Sequence, residues 1–421
     1  MASPKVSQLL AEANTADDQA AAYDAILSNL KFVSTPDTLA EDMKAIAGAI
    51  FSTDLRVVAL RTVLEQFIQV LRDLDNADVT VAAGQHALDT MTGQASATFL
   101  DQAAALRQLM GDAYERNEDF AAAARVLAEM PLDAAQRKVA DAERVAVWVR
   151  IVRNYLEVDD TTAADAYLNK AKNLIYTVTD NPTLLLHFRL SQARIQDAKR
   201  EFLSASAAYH DISTSPAVSE DERLFTLAMA ARCAILAPAG PLRSRALARL
   251  YKDERATSLA EFAMLEKMFL DRLLAPAEVA QFAERLSPHQ LATTADGSTV
   301  LAKAVVEHNL LAASRLYSNI GFAALGLLLG LDPDRAEDTT ARMIEQGRLL
   351  GRIDQIEELI WFEQHDEAAD GERASGRTDV RVGREMRRWD ANVQGLAEEV
   401  ENITNALQRE CPEFVAANLV A

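Results

Sequence analysis

Small and bulky apolar residues recur with a fixed spacing along the middle of the chain. A constant step of 41 positions passes through four small residues, through four bulky residues placed four positions later, and through a third apolar series upstream: Ala123, Ala164, Ala205 and Ala246; Leu127, Leu168, Tyr209 and Leu250; Leu106, Val147, Phe188 and Met229. A small residue followed by a bulky one suits close stacking of helices, and a period of this order is typical of helix-pair repeats. We therefore predict a TPR-like or HEAT-like right-handed helical-repeat solenoid over residues 1–290, beginning with amphipathic helices such as Val57–Leu74.

A different pattern follows residue 290, where three short helices are predicted. Their expected starts are Asp296 or Ser298, Gly321 and Asp332, and the expected stops of the second and third are Gly330 and Gly347. Asp and Ser are favoured N-caps, Pro333 fits a first helical position, and Gly suits the left-handed residue that ends a helix.

Two β-rich runs come next, Arg352–Ile356 and Leu359–Phe362, separated by Glu357 and Glu358. Three helices and a hairpin in this order predict a winged helix over residues 291–363. The edge of such a hairpin can accept a strand from another protein. We therefore assign four residues to a partner-binding wing edge: Ile353, Ile356, Ile360 and Phe362.

Many winged helices read DNA with their third helix, so nucleic-acid binding is the alternative to protein pairing. The third helix here carries five acidic residues against two basic ones: Asp332, Asp334, Glu337, Asp338 and Glu345 against Arg335 and Arg342. A surface of this charge repels a phosphate backbone. The sequence therefore favours a protein-pairing winged helix and predicts no nucleic-acid partner.

A polar run separates the winged helix from a helix of another kind. Residues 364–380 carry Gly, Ser and charged side chains, which predicts a linker. Apolar residues then step alternately by four and three positions: Val382, Met386, Trp389, Val393, Leu396, Val400, Ile403 and Leu407. We predict a heptad helix over 381–409, followed by a tail at 410–421, and assign the eight side chains to a partner-binding bundle seam. Packing of this seam on the chain's own solenoid is the alternative.

Composition narrows the class of partner. The 421 residues include 43 Lys and Arg against 63 Asp and Glu, and the formal net charge is −20. This balance disfavours nucleic-acid and anionic membrane surfaces and favours basic partners. Cys233 and Cys411 are too few for a disulfide framework, which indicates a reducing cytosolic or nuclear compartment. No signal-peptide core or membrane-spanning apolar run is present, so we expect a soluble protein.

The chain shows no arrangement typical of catalysis. Its six histidines have no local metal-ligand spacing, neither cysteine lies in a nucleophile motif, and the glycines at 321, 326 and 330 are not followed by the Lys-Ser or Lys-Thr of a phosphate loop. His308 is interpreted as a hydrogen-bonded core residue. The sequence therefore predicts no cofactor, no metal and no enzymatic activity.

One segment within the repeats carries turn chemistry. Residues 176–183 include Asp180, Asn181 and Pro182, which favour a loop between the second and third repeat copies. Two interpretations remain open at this stage, a regulatory loop that contacts a neighbouring protein and an ordinary connection.

Five segments resemble scaffold subunits of the PCI-domain family, in which a solenoid leads into a winged helix: Leu250–Arg255, Leu265–Arg272, Pro288–Ser298, Val306–Leu311 and Ile353–Ile356. This family contributes subunits to the proteasome lid, the COP9 signalosome and a translation initiation factor. The segments are most similar to the signalosome members, and the resemblance covers roughly residues 105–365.

The resemblance implies a non-catalytic subunit of an isopeptidase that removes NEDD8 from cullins and so regulates cullin-RING ubiquitin ligases. It implies contacts with other signalosome subunits through winged-helix edges and a C-terminal helical bundle, and contact with the ligase through the N-terminal arm. A cytoplasmic and nuclear location follows. A proteasome-lid scaffold and a nucleic-acid-binding winged-helix regulator are the two alternatives.

Overall fold

The structure divides into two compact units. The computed structural model describes residues 3–16, 18–53, 56–94, 98–132, 139–178, 180–293, 297–363 and 374–412. The first unit comprises residues 1–237, 245–265 and 284–292, and the second comprises residues 238–244, 266–283 and 293–421.

Six helices form the N-terminal part of the first unit: α1 (Pro4–Thr15), α2 (Gln19–Ser28), α3 (Leu30–Val33), α4 (Leu39–Ser52), α5 (Val57–Leu74) and α6 (Ala77–Gln94). The predicted helix over Val57–Leu74 is confirmed as α5. Its buried residues recur every three or four positions and enter a core around Tyr23, Met43 and Phe67. This periodicity is why the segment is helical and why one of its faces is apolar.

Four helix pairs follow: α7 (Leu100–Arg116) and α8 (Phe120–Ala128), α9 (Asp141–Glu157) and α10 (Thr161–Lys172), α11 (Pro182–Ala198) and α12 (Phe202–Ser213), α13 (Glu220–Leu236) and α14 (Pro241–Tyr251). In the first three pairs the opening helices begin at 100, 141 and 182 and the closing helices at 120, 161 and 202, so both series keep the constant step found in the sequence. The turn between the helices holds one residue in the left-handed region, Glu118, Asp159 or Arg200, at φ 59°, 58° or 63°. The helical-repeat prediction is confirmed.

The recurring apolar positions pack as their sizes require. Ala123, Ala164 and Ala205 are fully buried, and the bulky residues four positions later are buried in all four pairs. In the fourth pair, Ala246 and Met229 are only half-buried, and α13 begins three residues earlier than the constant step requires. The regular stacking therefore covers three repeats, and the fourth departs from it.

Residues 176–183 do not form an extended loop. A short 3-10 turn covers Ile175–Val178, and Asn181 caps α11 by accepting a hydrogen bond from the Leu184 N–H at 3.1 Å. Pro182 occupies the first helical position, where its missing N–H costs nothing. The residues that suggested a loop are those that start a helix, which favours the ordinary connection; residue 179 lies outside the described residues.

Residues between the last repeat and the winged helix form a 3-10 helix (Glu254–Ser258), α15 (Phe262–Phe269) and α16 (Pro276–Ala283). The sequence placed all residues up to 290 in the solenoid, but 238–244 and 266–283 belong to the second unit. The Asn309 side chain explains part of this, because it accepts from the Leu274 N–H at 3.0 Å and donates to the Leu274 carbonyl at 3.3 Å.

The winged helix lies in the second unit and consists of α17 (Val300–Leu316), β1 (Asn319–Gly321), α18 (Phe322–Leu329), α19 (Pro333–Glu345), β2 (Gly351–Asp354) and β3 (Leu359–Phe362). The three predicted helices and both predicted glycine stops are confirmed, with φ 69° at Gly330 and 67° at Gly347. Of the two predicted starts of the first helix, Ser298 is wrong, because the Thr299 hydroxyl is the cap, accepting from the Ala302 N–H at 3.1 Å; Asp296 lies outside the described residues.

The last helix, α20, spans Ala374–Glu410. It begins seven residues before the predicted start at 381, so residues 374–380 of the predicted linker are helical. No proline interrupts residues 374–410, and the glycines in this run weaken a helix without ending it. Residues 364–373 and the tail from 413 lie outside the described residues.

Candidate functional site

The small sheet of the winged helix has β3 at its centre. Its strand order is β1-β3-β2, and both pairings are antiparallel. The assignment of Ile360 and Phe362 to a free edge is wrong, because β3 pairs on both sides and both side chains are buried in the winged-helix core. Ile356 is also misplaced, since it lies in the turn after β2 and is 92% exposed.

Ile353 is the one predicted wing residue that lies on an edge strand. The Glu363 N–H donates to the Leu350 carbonyl at 3.1 Å, which makes this a hydrogen-bonded pair of the antiparallel ladder. Because such pairs alternate along a ladder, Arg352 and Asp354 bond to β3, while Gly351 and Ile353 turn their backbone groups to the other side. In the described part of the chain no further strand pairs with that side of β2.

Two hydrogen bonds to a side chain fix the turn after β2. The Asp354 carboxylate accepts from the N–H groups of Ile356 and Glu357 at 3.1 and 3.2 Å, and Glu358 adopts φ 52°. These bonds draw the chain out of the strand after Asp354, so β2 ends two residues earlier than predicted. β2 is thus a short edge strand that ends in a turn held by hydrogen bonds.

The C-terminal seam is exposed along α20. Six of its eight predicted side chains are between 38% and 67% exposed: Trp389, Val393, Leu396, Val400, Ile403 and Leu407. The side chains of Val382 and Met386 lie outside the described residues. A row of large apolar side chains in water is costly, and such rows mark surfaces that another molecule covers. Its assignment to partner helices, and the alternative of packing on the chain's own repeats, both stay predictions.

A buried ion pair fixes the start of the hairpin. Arg348, three residues before β2, donates through Nη2 to Glu307 Oε1 at 3.0 Å and through Nη1 to the Ala239 carbonyl at 3.2 Å. Glu307 is 3% exposed and also accepts from the Ala239 N–H at 3.1 Å. This pair therefore joins α17, the residues before β2 and the segment 238–244 inside one unit.

His308 is the buried, hydrogen-bonded residue that the sequence predicted. Its Nε2 lies 2.9 Å from the Arg272 carbonyl, to which it donates, and its Nδ1 faces Arg243 Nη2 at 3.5 Å. Burial lowers the pKa of His308 to about 4, and the nearby guanidinium of Arg243 acts in the same direction. Burial also lowers the pKa of Arg243 to about 10, which leaves it charged at neutral pH. A neutral imidazole satisfies both contacts.

We expect the second unit to lose stability as the pH falls from about 6.5 to about 4. His308 has its lower pKa, about 4, only in the folded state, so the unfolded chain takes up a proton first and the contribution present above pH 6.5 is lost on acidification. The difference between the two pKa values corresponds to about 3 kcal/mol. Hydrogen exchange of α17 measures the opening free energy, and a His308→Gln chain should show a shallower pH dependence. Equal slopes in both chains would refute this assignment.

The described residues contain no group of three or more His, Cys, Asp and Glu side chains placed to hold a metal ion. Among the same residues, no helix is both long and apolar enough to cross a membrane. Cys233 is buried and Cys411 is exposed, and both are free thiols.

Comparison with known proteins decides the family. The model for "PSMD12/CSN4, N-terminal" matches residues 2–221, and the PCI domain model matches residues 259–364. A Neurospora crassa protein named COP9 signalosome complex subunit 4 is 52% identical, with 100% of this chain and 99% of the relative covered. The chain belongs to the COP9 signalosome complex subunit 4 family. Proteins of that name from Dictyostelium discoideum and Arabidopsis thaliana are 38% and 36% identical, over 91% and 92% of this chain and 94% of each relative.

Within this subunit 4 family member, the PCI match begins before α15 and ends after β3, so it includes the winged helix and both sheet edges. The α20 seam lies beyond it. The resemblance to PCI-domain scaffold subunits is confirmed, and the assignment of the seam and edge residues to partners stays a prediction.

Sequence reasoning missed β1 and two of the three buried polar residues of α17, since it identified His308 but not its neighbours Glu307 and Asn309. Glu307, His308 and Asn309 are consecutive and all buried, whereas consecutive polar residues on a helix normally include exposed ones. A signal was present, because apolar residues occupy every side of α17 between Ala304 and Ala313, and a helical segment that is apolar all round is a buried one.

Proposed function

We propose that this chain is a non-catalytic scaffold subunit of a COP9 signalosome. The observation that carries the proposal is the row of six exposed apolar side chains on α20, which requires partner helices. The names of the relatives supply the identity of the assembly. The resemblance set out from the sequence supplies its activity, which is removal of NEDD8 from cullins by another subunit.

The winged helix is proposed as the second assembly surface. The outward backbone groups of Gly351 and Ile353 are free to pair with a strand of a neighbouring subunit, in the same way that any sheet edge accepts a strand. The β1 edge offers a second, shorter site.

The experiment is affinity purification of tagged chain from Neurospora crassa cells that lack their own relative, followed by mass spectrometry. We expect the other signalosome subunits to be recovered. Ile353→Pro removes the outward N–H of the edge and should lower the yield of neighbouring subunits several-fold, whereas Ile353→Ala loses the side chain but keeps the N–H. Recovery of proteasome-lid subunits would refute the proposed assembly, and equal yields for the Pro and Ala variants would refute edge pairing alone.

The N-terminal helices are proposed to contact a basic surface of the cullin-RING ligase. Support comes from the formal charge of −20 and from exposed acids on this arm such as Asp24 and Asp37. Charge complementarity of this kind raises the association rate. The increase becomes smaller at high salt, because the Debye length falls from about 10 Å at 0.1 M to about 3 Å at 1 M.

Truncation is a poor test of this arm, because its core includes Leu106 and Met110 of α7 and a cut near residue 100 would expose them. Asp24→Asn with Asp37→Asn leaves the core intact. At low salt we expect this pair to slow ligase association by the assembled complex several-fold, while the matched pair Asp211→Asn and Asp221→Asn, on exposed positions of later repeats, leaves it unchanged. Equal association rates for both pairs would exclude the arm as the contact.

A cytoplasmic and nuclear location is proposed because two free thiols fit a reducing compartment. Imaging of a fluorescently tagged chain tests it, and confinement to a secretory compartment would refute it.

A further inference from the structure

The second unit contains a cleft between α17 and α19 that the assembly surfaces do not include. It has a volume of about 150 Å³. Its apolar floor is made by Val306, Leu331 and Met343. Its polar lining includes four cations and one carboxylate: Lys303, Arg335, Arg342, Arg348 and Glu307. A cationic lining is unexpected in a chain whose formal charge is −20.

Helix α19 separates its charges by face. Arg335, Thr339, Arg342 and Gln346 follow the spacing of one helical face and all line the cleft. The acids of the same helix are absent from the lining: Asp334, Glu337, Asp338 and Glu345. Counted over all its residues, this helix has a net negative charge, but the side that lines the cleft carries only basic charges.

The single carboxylate of the lining does not neutralise the cleft. Glu307 is held by Arg348 and by the Ala239 N–H, so its charge is already balanced. Within the described ranges, neither Lys303 nor Arg335 forms an ion pair, and both side chains are exposed. Two positive charges, one from each of the helices that form the cleft, therefore stand beside an apolar floor.

We propose that this cleft binds an acidic peptide segment of a partner protein, with carboxylates on Lys303 and Arg335 and one apolar side chain on the floor. A guanidinium group matches a carboxylate with two parallel hydrogen bonds, which suits a peptide that carries Asp or Glu. A volume of 150 Å³ accommodates one apolar side chain. The inference does not depend on membership of the signalosome.

A nucleic acid fits this surface less well. Its phosphates would continue past the cleft along α19 and the hairpin tip, where Glu337, Glu357 and Glu358 are placed. A binding site for a polyphosphate chain requires an extended basic surface. A short acidic peptide needs only the cleft itself.

Fluorescence anisotropy with the full-length chain tests the proposal. The probe is a fluorescein-labelled decapeptide of Asp and Glu with one central Leu. Comparison probes are the same peptide with Asn and Gln in place of the acids and a ten-nucleotide single-stranded DNA. At about 50 mM salt we expect the acidic peptide to bind at least about tenfold more tightly than either comparison probe, and to lose affinity as salt is raised.

Two matched charge reversals locate the site. Lys303→Glu with Arg335→Glu changes two exposed residues of the cleft and should weaken peptide binding at least tenfold. Arg245→Glu with Arg249→Glu changes two exposed arginines of α14, outside the cleft and the sheet edge, and should leave binding within twofold. Equal weakening by both pairs, absence of peptide binding, or DNA binding that is tighter than peptide binding would each overturn the proposal.

Discussion

A chain carrying Val393→Asp and Ile403→Asp is expected to fold but to be absent from the purified complex. The six exposed seam residues on α20 represent a gross drive on the order of 10 kcal/mol when partner helices cover them. Much of this favourable free energy is offset by the entropy lost when side chains become ordered and when the subunits lose free motion on association. Two carboxylates in the middle of the seam must then be desolvated, which costs several kcal/mol more than the remaining gain.

The matched control adds the same two charges to the opposite face of α20, as Gln394→Asp and Asn405→Asp. This variant should co-purify like the unmodified chain. Protease resistance through residue 363 checks that both variants are folded. If the seam variant co-purifies as well as its control, the seam does not hold the chain in the complex.

Arg348→Ala is expected to destabilise the second unit by about 3–5 kcal/mol, because it leaves the buried Glu307 carboxylate with one backbone donor. Replacing both partners, as Glu307→Gln with Arg348→Met, removes the uncompensated charge and should recover more than half of this loss. The opening free energy from hydrogen exchange of α17 measures both effects.

A second Arg–carboxylate pair in the same unit provides the control. Arg315 Nη1 lies 2.7 Å from Asp271 Oδ2, but its side chain is 68% exposed, against 18% for Arg348. Exposed pairs contribute about 0–1 kcal/mol, so Arg315→Ala should cost no more than that. Similar losses for Arg315→Ala and Arg348→Ala would show that burial does not set the strength of the Arg348 pair.

The repeats and the three winged-helix segments were predictable because their signals are local or strictly periodic. Gly330 and Gly347 end helices through their own backbone freedom, and Ala123, Ala164 and Ala205 are small because a neighbouring helix lies against them. Each of these features is visible in the sequence from the residue itself or from residues at a constant spacing from it.

The strand order of the sheet was not predictable in this way. The hairpin turn places β2 beside β3, but β1 joins from a distant part of the chain, pairing Asn319 with Trp361 and Gly321 with Leu359. Asn319–Gly321 is too short to show strand alternation, and a helix begins at once after it. The hairpin therefore looked as though β3 were an edge strand, and Ile360 and Phe362 were assigned to a surface.

The charge distribution on α19 was missed for a related reason. Counting acids and bases along the helix gives a net negative charge, but a partner meets one face at a time. Arg335 and Arg342 lie two helical turns apart and share a face, and the acids between them are absent from the cleft that this face lines. Only the position of α17 identifies which face matters.

The left-handed turn residues Glu118, Asp159 and Arg200 recur once in each of three helix pairs, and this regularity limits how the array of pairs can change in length. In each of these repeats the first helix is followed by a residue of the same left-handed conformation, and the second helix begins two residues after it. Equivalent helices of successive repeats therefore present equivalent faces to their neighbours. A duplication or loss of one whole repeat leaves every surface between neighbouring helices chemically matched. An insertion of one residue inside a helix instead turns the residues that follow it by about 100°, so that its alanine no longer meets its bulky neighbour. The array of helix pairs that begins at α7 can therefore change in length by whole repeats without any compensating substitution.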